Sequence, residues 1–459
     1  MDDIRIHTEA LQFFSAEEAQ YYKLLPYDFD ASGMVLCLGE DGRDYDGIRQ
    51  EIRMLFGRDI KVRSVPVEEL GRQLLANYRS TKTTVQGSLP QDTSEMISFL
   101  IEDAHAMRAS DIHMEPSEQR CRIRYRIDGR LLERHVIPLS AYTALVNRVK
   151  IMSSLDISEK RLPQDGRILF ECLTDRGDSV RFDIRTSILP TIHGEKIVLR
   201  LLTMNERHLS ISELGMDERQ REDYLKAVSR PHGMILISGP TGSGKSTTLY
   251  ATLERLNRGD NNILTIEDPV EYTLDGINQV QLKEEIGLNF PSALRTFLRQ
   301  DPDIIMLGEI RDEETAEMAV RSSLTGHLVL STLHTNSAWG CITRMTDMGI
   351  HPYLLSETLI ACVAQRLVRT LCPHCKRVAE DGHYAPVGCP QCFYTGYLGR
   401  RAIYEVIPIE AGLSEAVRTR TTDIHDYLHK HKIKTLRDAA LALYDQGETS
   451  LEEILPLTD

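Results

Sequence analysis

The chain has 459 residues, more than one hydrophobic core can organise, so two to four domains are expected. Its formal net charge of −14 argues against a general nucleic-acid binder. Apolar residues make up 41% and charged residues 27%, as in a globular protein, and no apolar run approaches the ~18 residues that span a bilayer.

The opening "MDDIRIHTEALQFF" is acidic and lacks a signal-peptide core, so a cytoplasmic location is expected, with any membrane reached only through partners. Residues 1–78 read as a small mixed domain ending in the helix-like "PVEELGRQLLANY". The stretch 79–92, "RSTKTTVQGSLPQD", is polar and carries Gly and Pro, a linker pattern. Apolar residues at helical spacing predict a helix over 93–109, capped by Thr93 or Ser94.

In "RCRIRYRIDGRLLERHVIPL" (120–139), four arginines alternate with Cys121, Ile123, Tyr125 and Ile127. Asp128-Gly129 supplies a tight turn, so a hairpin with all four arginines on one face is expected. Further strands follow, and this second domain ends near 209. Residues 101–210 hold 18 Lys and Arg against 16 Asp and Glu, a balance of +2, so the rest of the chain carries −16.

From 210 to 371, short apolar strands ("MILIS", "NILTIE", "DIIML", "HLVLST") alternate with helical patterns, as in a parallel α/β sheet. Residues 372–403 hold a cysteine cluster, and 404–459 look helical. The other five cysteines, Cys37, Cys121, Cys172, Cys341 and Cys362, are scattered and read as buried apolar residues.

The first of these strands runs into Gly239-Pro240-Thr241-Gly242-Ser243-Gly244-Lys245-Ser246-Thr247, a phosphate-binding loop for a nucleotide. Glycines let backbone N–H groups turn toward phosphates, and the helix start adds partial positive charge. Lys245 is placed to reach the β- and γ-phosphates and the Ser246 hydroxyl to ligate Mg2+. In "DPDIIMLGEIRD" (301–312), Glu309 stands just past a buried strand, where it can order or deprotonate the attacking water. "LTIEDPVEY" puts Glu267, Asp268 and Glu271 at another strand end, and "TGHLVLSTLHTN" brackets a strand with His327 and His334, a candidate phosphate sensor. "CPHC" (Cys372, Cys375) and "CPQC" (Cys389, Cys392), 13 residues apart, are the spacing of a four-thiolate Zn2+ site with no open position, hence structural.

These pieces, with "SDIHMEP" (110–116), "RYRIDGRL", "KRLPQDGRI", "ILPTIHGEKIVLRLL", "AQRLVRTLCPHC" and "TGYLGRRAIYEV", resemble the type II secretion and type IV pilus assembly ATPases over roughly 93–410. The resemblance is weaker over 1–78. It implies a homo-hexameric, multidomain α/β protein with an N-terminal docking domain (1–78), a PAS-like α+β domain (93–209), a RecA-like P-loop ATPase core (210–371), a small tetracysteine zinc subdomain (372–403) and a C-terminal helical segment (404–459). It implies a Walker A loop at 239–246, an Asp box at 265–272, an atypical Walker B ending at Glu309 and a His box at 325–336. Arg185, Arg200, Arg295, Arg299 and Arg344 stand where the family's nucleotide-contacting arginines stand. The zinc cluster resembles assembly rather than retraction ATPases, although its 13-residue spacer is shorter than in many secretion members.

The implied partners are an inner-membrane platform protein and a membrane protein with a cytoplasmic domain, docked through residues 1–78, and no nucleic acid. The reading is an ATP-hydrolysing motor for pseudopilus assembly in type II secretion. Pilus extension or DNA uptake by the same machinery is the alternative. Intact Lys245, Ser246 and Glu309 disfavour a non-hydrolysing scaffold.

Overall fold

Alternation and turn chemistry decide the second domain's sheet before any packing is considered. In the computed structural model the described residues are 6–11, 13–14, 16–77, 90, 92–173, 179–203, 209–379, 382–393 and 395–458. The expected linker lies outside the described residues except at 90 and 92. The chain forms two units, Met1–Glu206 with Cys372–Arg377 and Pro386–Leu398, and Arg207–Leu371 with Val378–Ala385 and Gly399–Asp459.

In the first unit, β1 (Leu24–Phe29), β2 (Val35–Glu40) and β3 (Ile60–Val65) form a small mixed sheet. The helices Asp46–Phe56 and Val67–Asn77 accompany it, around Phe14, Leu25, Cys37, Ile52 and Leu74. A separate antiparallel sheet follows: β4 (Ala109–Pro116), β5 (Arg120–Ile127), β6 (Arg130–Pro138), β7 (Gln164–Leu173), β8 (Ser179–Thr191) and β9 (Gly194–Thr203). Its strand order is β6-β5-β4-β9-β8-β7. The hairpin β5–β6 forms with Asp128 at φ 46° and Gly129 at φ 88°, both in the left-handed region the turn demands. Cys121, Ile123, Tyr125 and Ile127 are buried and the four arginines face the other way.

The helices Thr93–Ala106 and Leu139–Met152 cover the apolar face, where Ile97, Leu100, Tyr142 and Leu145 meet Ile112, Tyr125, Ile184 and Leu199. The first helix ends at Ala106 and its cap is Asp92, not Thr93 or Ser94. The Asp92 carboxylate, one residue earlier, accepts from Ser94 N at 2.8 Å and Glu95 N at 3.1 Å, a cap that typically contributes about 1 kcal/mol.

The second unit is built on β10 (Gly233–Ser238), β11 (Ile263–Glu267), β12 (Asn278–Gln281), β13 (Ile304–Leu307), β14 (Leu328–Leu333) and β15 (Leu359–Leu371). These pair in parallel in the order β12-β11-β13-β14-β10-β15. Every residue of β10, β11, β13 and β14 is buried, which is why each reads as a continuous apolar run rather than an alternation. Successive β10 residues feed opposite cores: Met234 and Leu236 one, Ile235 and Ile237 the other.

The strand Tyr397–Pro408 joins this sheet beside β15 and runs across the expected boundary at 403. Its alternation decides this, because Ile403 and Ile407 enter one core while Tyr404 and Val406 enter the other. Helices Ala411–Arg418, His425–Lys430, Leu436–Asp445 and Leu451–Thr458 follow. Among the described residues, no helix is long and apolar enough to cross a membrane.

Candidate active site

Parallel strands end on one edge of the sheet, and helix N-termini begin there, so polar groups at strand ends converge. The glycine-rich loop leaves the end of β10 and enters the helix Lys245–Leu256. Gly239 (φ +154°) has no room for a side chain, since a Cβ would lie 2.5 Å from Gln365 O and 2.5 Å from Ser243 Oγ. Lys245 is buried, and its Nζ donates to Gly239 O at 2.8 Å and Pro240 O at 3.1 Å. Burial pushes its amine below the ordinary lysine value, partly offset by Glu309. Ser243 Oγ is buried with no hydrogen-bond partner. A desolvated ammonium held only by carbonyls, beside an orphaned hydroxyl, fits an incoming phosphate chain. Ser246 and Thr247 are exposed at the helix start, within the same loop.

Glu309 follows β13 by two residues. Gly308 between them has a reason: a Cβ there would stand 3.3 Å from Glu267 Cα, so a glycine lets the ends of β13 and β11 approach. Glu309 Oε1 accepts from Arg311 Nη2 at 2.5 Å, and its Oε2 lies 3.5 Å from His334 Nε2. Arg311 also reaches Asp268 at 3.2 Å. His334 is lowered by burial and by Lys245, which keeps its ring neutral near neutral pH. The edge thus carries a chain of four groups: Asp268, Arg311, Glu309 and His334.

The remaining expected residues divide. Glu267 is turned into the domain, only 4% exposed. Its Oε2 accepts from the Tyr250 hydroxyl and its Oε1 from Thr265 Oγ1 at 2.6 Å and Gln279 Nε2 at 3.2 Å. Three of its roughly four lone-pair sites are taken by the fold, which gives it an anchoring role within the domain. Burial and the Glu267 carboxylate push the Tyr250 phenol far above its ordinary value. Asp268 is exposed, and Glu271 is half-buried with its N–H donating to Tyr250 Oη at 3.1 Å.

His327 stands at the opposite end of β14 from His334. Its backbone oxygen accepts from Gly233 N, at the start of β10, and its Nδ1 lies 2.9 Å from Ser322 O. The six residues of β14 separate it from His334 by roughly 20 Å. Within one chain it does not reach the loop, which corrects the expectation of a paired sensor. Arg295 and Arg299 lie on and just beyond the helix Phe290–Phe297, and Arg344 on Gly340–Asp347, all exposed. Arg295 pairs with Glu314, and Arg299 donates to Arg295 O at 2.7 Å.

In the first unit, the register aligns Arg126, Asp111, Arg200, Arg185 and Arg167 in one row across β5-β4-β9-β8-β7. Arg200 and Arg185 are therefore direct cross-strand neighbours. Asp111 holds Arg200 Nε at 3.0 Å and Arg126 Nε at 3.5 Å. Glu115, four residues along β4, holds Arg122 at 2.8 Å, Arg124 at 2.8 Å and Lys196 at 3.0 Å. Two carboxylates thus organise five cations.

The four thiols Cys372, Cys375, Cys389 and Cys392 are unpaired by disulfides, and their sulfurs lie within 4.8 Å of one another. The closest pairs are 3.7 Å for Cys372–Cys389, 3.7 Å for Cys375–Cys392 and 3.8 Å for Cys389–Cys392. Tetrahedral ligands about 2.3 Å from one zinc stand about 3.8 Å apart, so the cluster fits that ion. Gly388 N and Cys389 N point at Cys375 and Cys392 sulfurs at 3.3 and 3.2 Å, donors that favour thiolates.

Reading motifs alone missed Arg311, Gln365 and Arg366. Gln365 is buried behind the loop, accepting from Thr248 Oγ1 at 2.8 Å. Only the strand register, which sets Ser238 beside Ala364, brings it there.

Residues 90–456 match the family described as Type II/IV secretion system protein. The type IV pilus assembly ATPase PilB of Myxococcus xanthus is 47% identical over 382 residues, 79% of this chain and 67% of that protein. The type II secretion system ATPase E of Vibrio cholerae is 45% identical over 383 residues, 79% of this chain and 75% of that protein. The type II secretion system protein E of Pectobacterium carotovorum is 40% identical over 488 residues, 97% of this chain and 96% of that protein. Among solved structures, the pilus retraction motor PilT with bound ADP is similar at a TM-score of 0.53 and 27% identity, over 78% of this chain and 96% of that one. The ATPase DotB of Yersinia pseudotuberculosis is similar in fold at a TM-score of 0.61 and 21% identity, over 81% and 95%. On the length of the family match and the identity of its relatives, with a phosphate loop and a strand-end glutamate set at one edge of a RecA-like sheet, the chain belongs to the type II/IV secretion system protein family and is one of its ATPases.

Proposed function

We propose that this chain is the cytoplasmic motor of a type II secretion system, working as a homo-hexamer that hydrolyses ATP to drive pseudopilus assembly. The observation that carries the choice of pathway is the Pectobacterium carotovorum relative, which aligns with 97% of the chain and so includes its N-terminal region. The pilus relative aligns with 79% of it. The motor residues serve either pathway, whereas the N-terminal domain, with its own sheet and core, is suited to choose a membrane partner. Pilus extension is the second reading, favoured by the 47% identity to PilB.

In this reading, the loop amides and Lys245 bind the phosphates, with the Ser246 hydroxyl placed for Mg2+. The Ser246 hydroxyl would hold a Mg2+ whose positive charge would offset that of the phosphates. Glu309 orients the attacking water and accepts its proton. The four cysteines hold a structural Zn2+. At least one of Arg185 and Arg200 serves the nucleotide of a neighbouring subunit.

The test compares phosphate release by the purified protein and by Lys245→Ala, with and without DNA. Turnover is expected to fall to background in the variant while the fold persists, and to be indifferent to DNA. Unchanged turnover in Lys245→Ala overturns the motor assignment. Removing residues 1–78 is expected to abolish recruitment to membranes of a secreting cell and leave residues 90–459 folded.

A further inference from the structure

Arg366 belongs to none of the motifs that mark the nucleotide site, yet it packs against the loop. The β10–β15 register sets Ser238 beside Ala364, so the next two residues of β15 run alongside the start of the loop. A Cβ on Gly239 would stand 3.2 Å from Arg366 Nη1. The guanidinium is half-buried. Its Nη1 donates to Gln365 O at 2.9 Å and its Nη2 to Asn336 O at 2.9 Å. It makes no ion pair among the described residues.

The surrounding acids are committed elsewhere. Glu405 is buried and accepts from Ala338 N at 2.8 Å and Leu436 N at 3.2 Å. Glu309 is held by Arg311 and faces His334. Lys245, a few residues away on the same loop, is likewise held only by carbonyls. Two partly desolvated cations therefore flank one glycine-rich loop with no carboxylate in direct ion-pair contact with either among the described residues, Glu309 and Glu405 acting on them only from a distance. Removing charge from water without a counter-ion is costly, and the arrangement lowers that cost only when an anion enters. Burial pushes Arg366 below its ordinary value and Glu405 offsets only part of this, while Arg366 in turn lowers Lys245, as two partly desolvated cations in proximity should.

We propose that Arg366 is a phosphate-binding residue of the nucleotide site, a second cation beside Lys245 that takes the phosphate chain of a bound nucleoside di- or triphosphate. The proposal rests on the reading that the loop binds nucleotide. Arginine suits the task, because its planar fork can keep one donor on the Asn336 carbonyl while turning others toward phosphate oxygens.

The experiment uses the full chain and Mg-ADP, measured by calorimetry, with thermal melts in its absence. Arg366→Gln removes the charge and keeps an amide donor for the carbonyls. Affinity for ADP is expected to fall roughly 10- to 100-fold, the loss of one charge-assisted contact. Without nucleotide, the variant is expected to melt at or above the wild-type temperature, because it relieves a partly desolvated charge that has no direct ion pair. Arg366→Lys is expected to recover part of the lost affinity. Wild-type affinity in Arg366→Gln overturns the proposal and leaves the nucleotide reading intact. A lowered melting temperature without nucleotide, with Arg366→Lys no better than Arg366→Gln, also overturns it, since that is the behaviour of a structural arginine. A folded wild-type protein that binds no ADP overturns both readings together.

Discussion

Arg311 donates to Glu309 Oε1 at 2.5 Å, so the acid at the end of β13 is tied to a guanidinium two residues further along the chain. The same guanidinium reaches Asp268, past the end of β11. A carboxylate fixed on one side presents its other oxygen in a defined direction, here toward His334 and the phosphate loop.

Glu309→Gln keeps the side chain's shape and removes its capacity to take a proton. ATP hydrolysis is expected to fall by about 10²–10⁴-fold while nucleotide binding persists. Phosphate release and ADP titration measure the two separately. Loss of both to the same degree would place Glu309 in binding rather than in proton transfer.

The cysteine cluster is expected to carry about one zinc per chain by elemental analysis. Cys375→Ser should release that metal and raise amide exchange around residues 372–393 more than in β10 to β15, because the metal's binding energy is local folding energy. A metal-free preparation with native exchange protection would contradict the assignment.

Arg185 and Arg200 are cross-strand neighbours, and at least one of them is proposed to act on a neighbouring subunit's nucleotide. An arginine supplied in trans contributes about 10³–10⁵ in rate. Mixing two inactive variants, Lys245→Ala with Arg185→Ala or with Arg200→Ala, in rings that exchange subunits should restore activity at interfaces that pair an intact loop with an intact arginine. No recovery for either mixture, with exchange demonstrated, would assign both arginines to their own subunit or to structure.

Burial raises the Glu115 carboxyl, but hydrogen bonds and charge from Arg124 and Lys196 outweigh it and hold the group at about 2, against an ordinary 4.5. A carboxylate lowered on folding contributes stability that is present above its unfolded value and lost as pH falls through its folded value. Glu115→Gln should therefore melt lower than wild type at neutral pH, and the gap should close as pH falls from about 4.5 toward 2. Thermal melts across that range test it, and parallel curves for the two proteins would show that the cluster's charge is not what stabilises the sheet.

Local features were legible in the sequence because they are consequences of spacing along a few residues. The glycine positions of 239–244 specify a phosphate loop wherever a strand precedes them. The Arg/apolar alternation of 120–127, followed by Asp128-Gly129, specifies a hairpin with a charged face. Two CxxC pairs specify a thiolate cluster. What tertiary structure decided is which of these residues meet, and that depends on register between strands far apart in the chain. Parallel pairing of β10 with β14 puts His334 at the loop's edge and His327 at the other end of the same strand, a distinction that two histidines bracketing an apolar run do not carry. Pairing of β13 with β11 brings Gly308 against Glu267 and leaves Glu267 buried on Tyr250, Thr265 and Gln279 while its neighbour Asp268 stays outside. Pairing of β15 with β10 carries Gln365 and Arg366, more than 100 residues after Gly239, to the back of the loop. Side chains alternate along a strand, so a shift of one residue in any of these ladders would exchange the inward and outward sets. The buried apolar faces select the register, and the register selects the site.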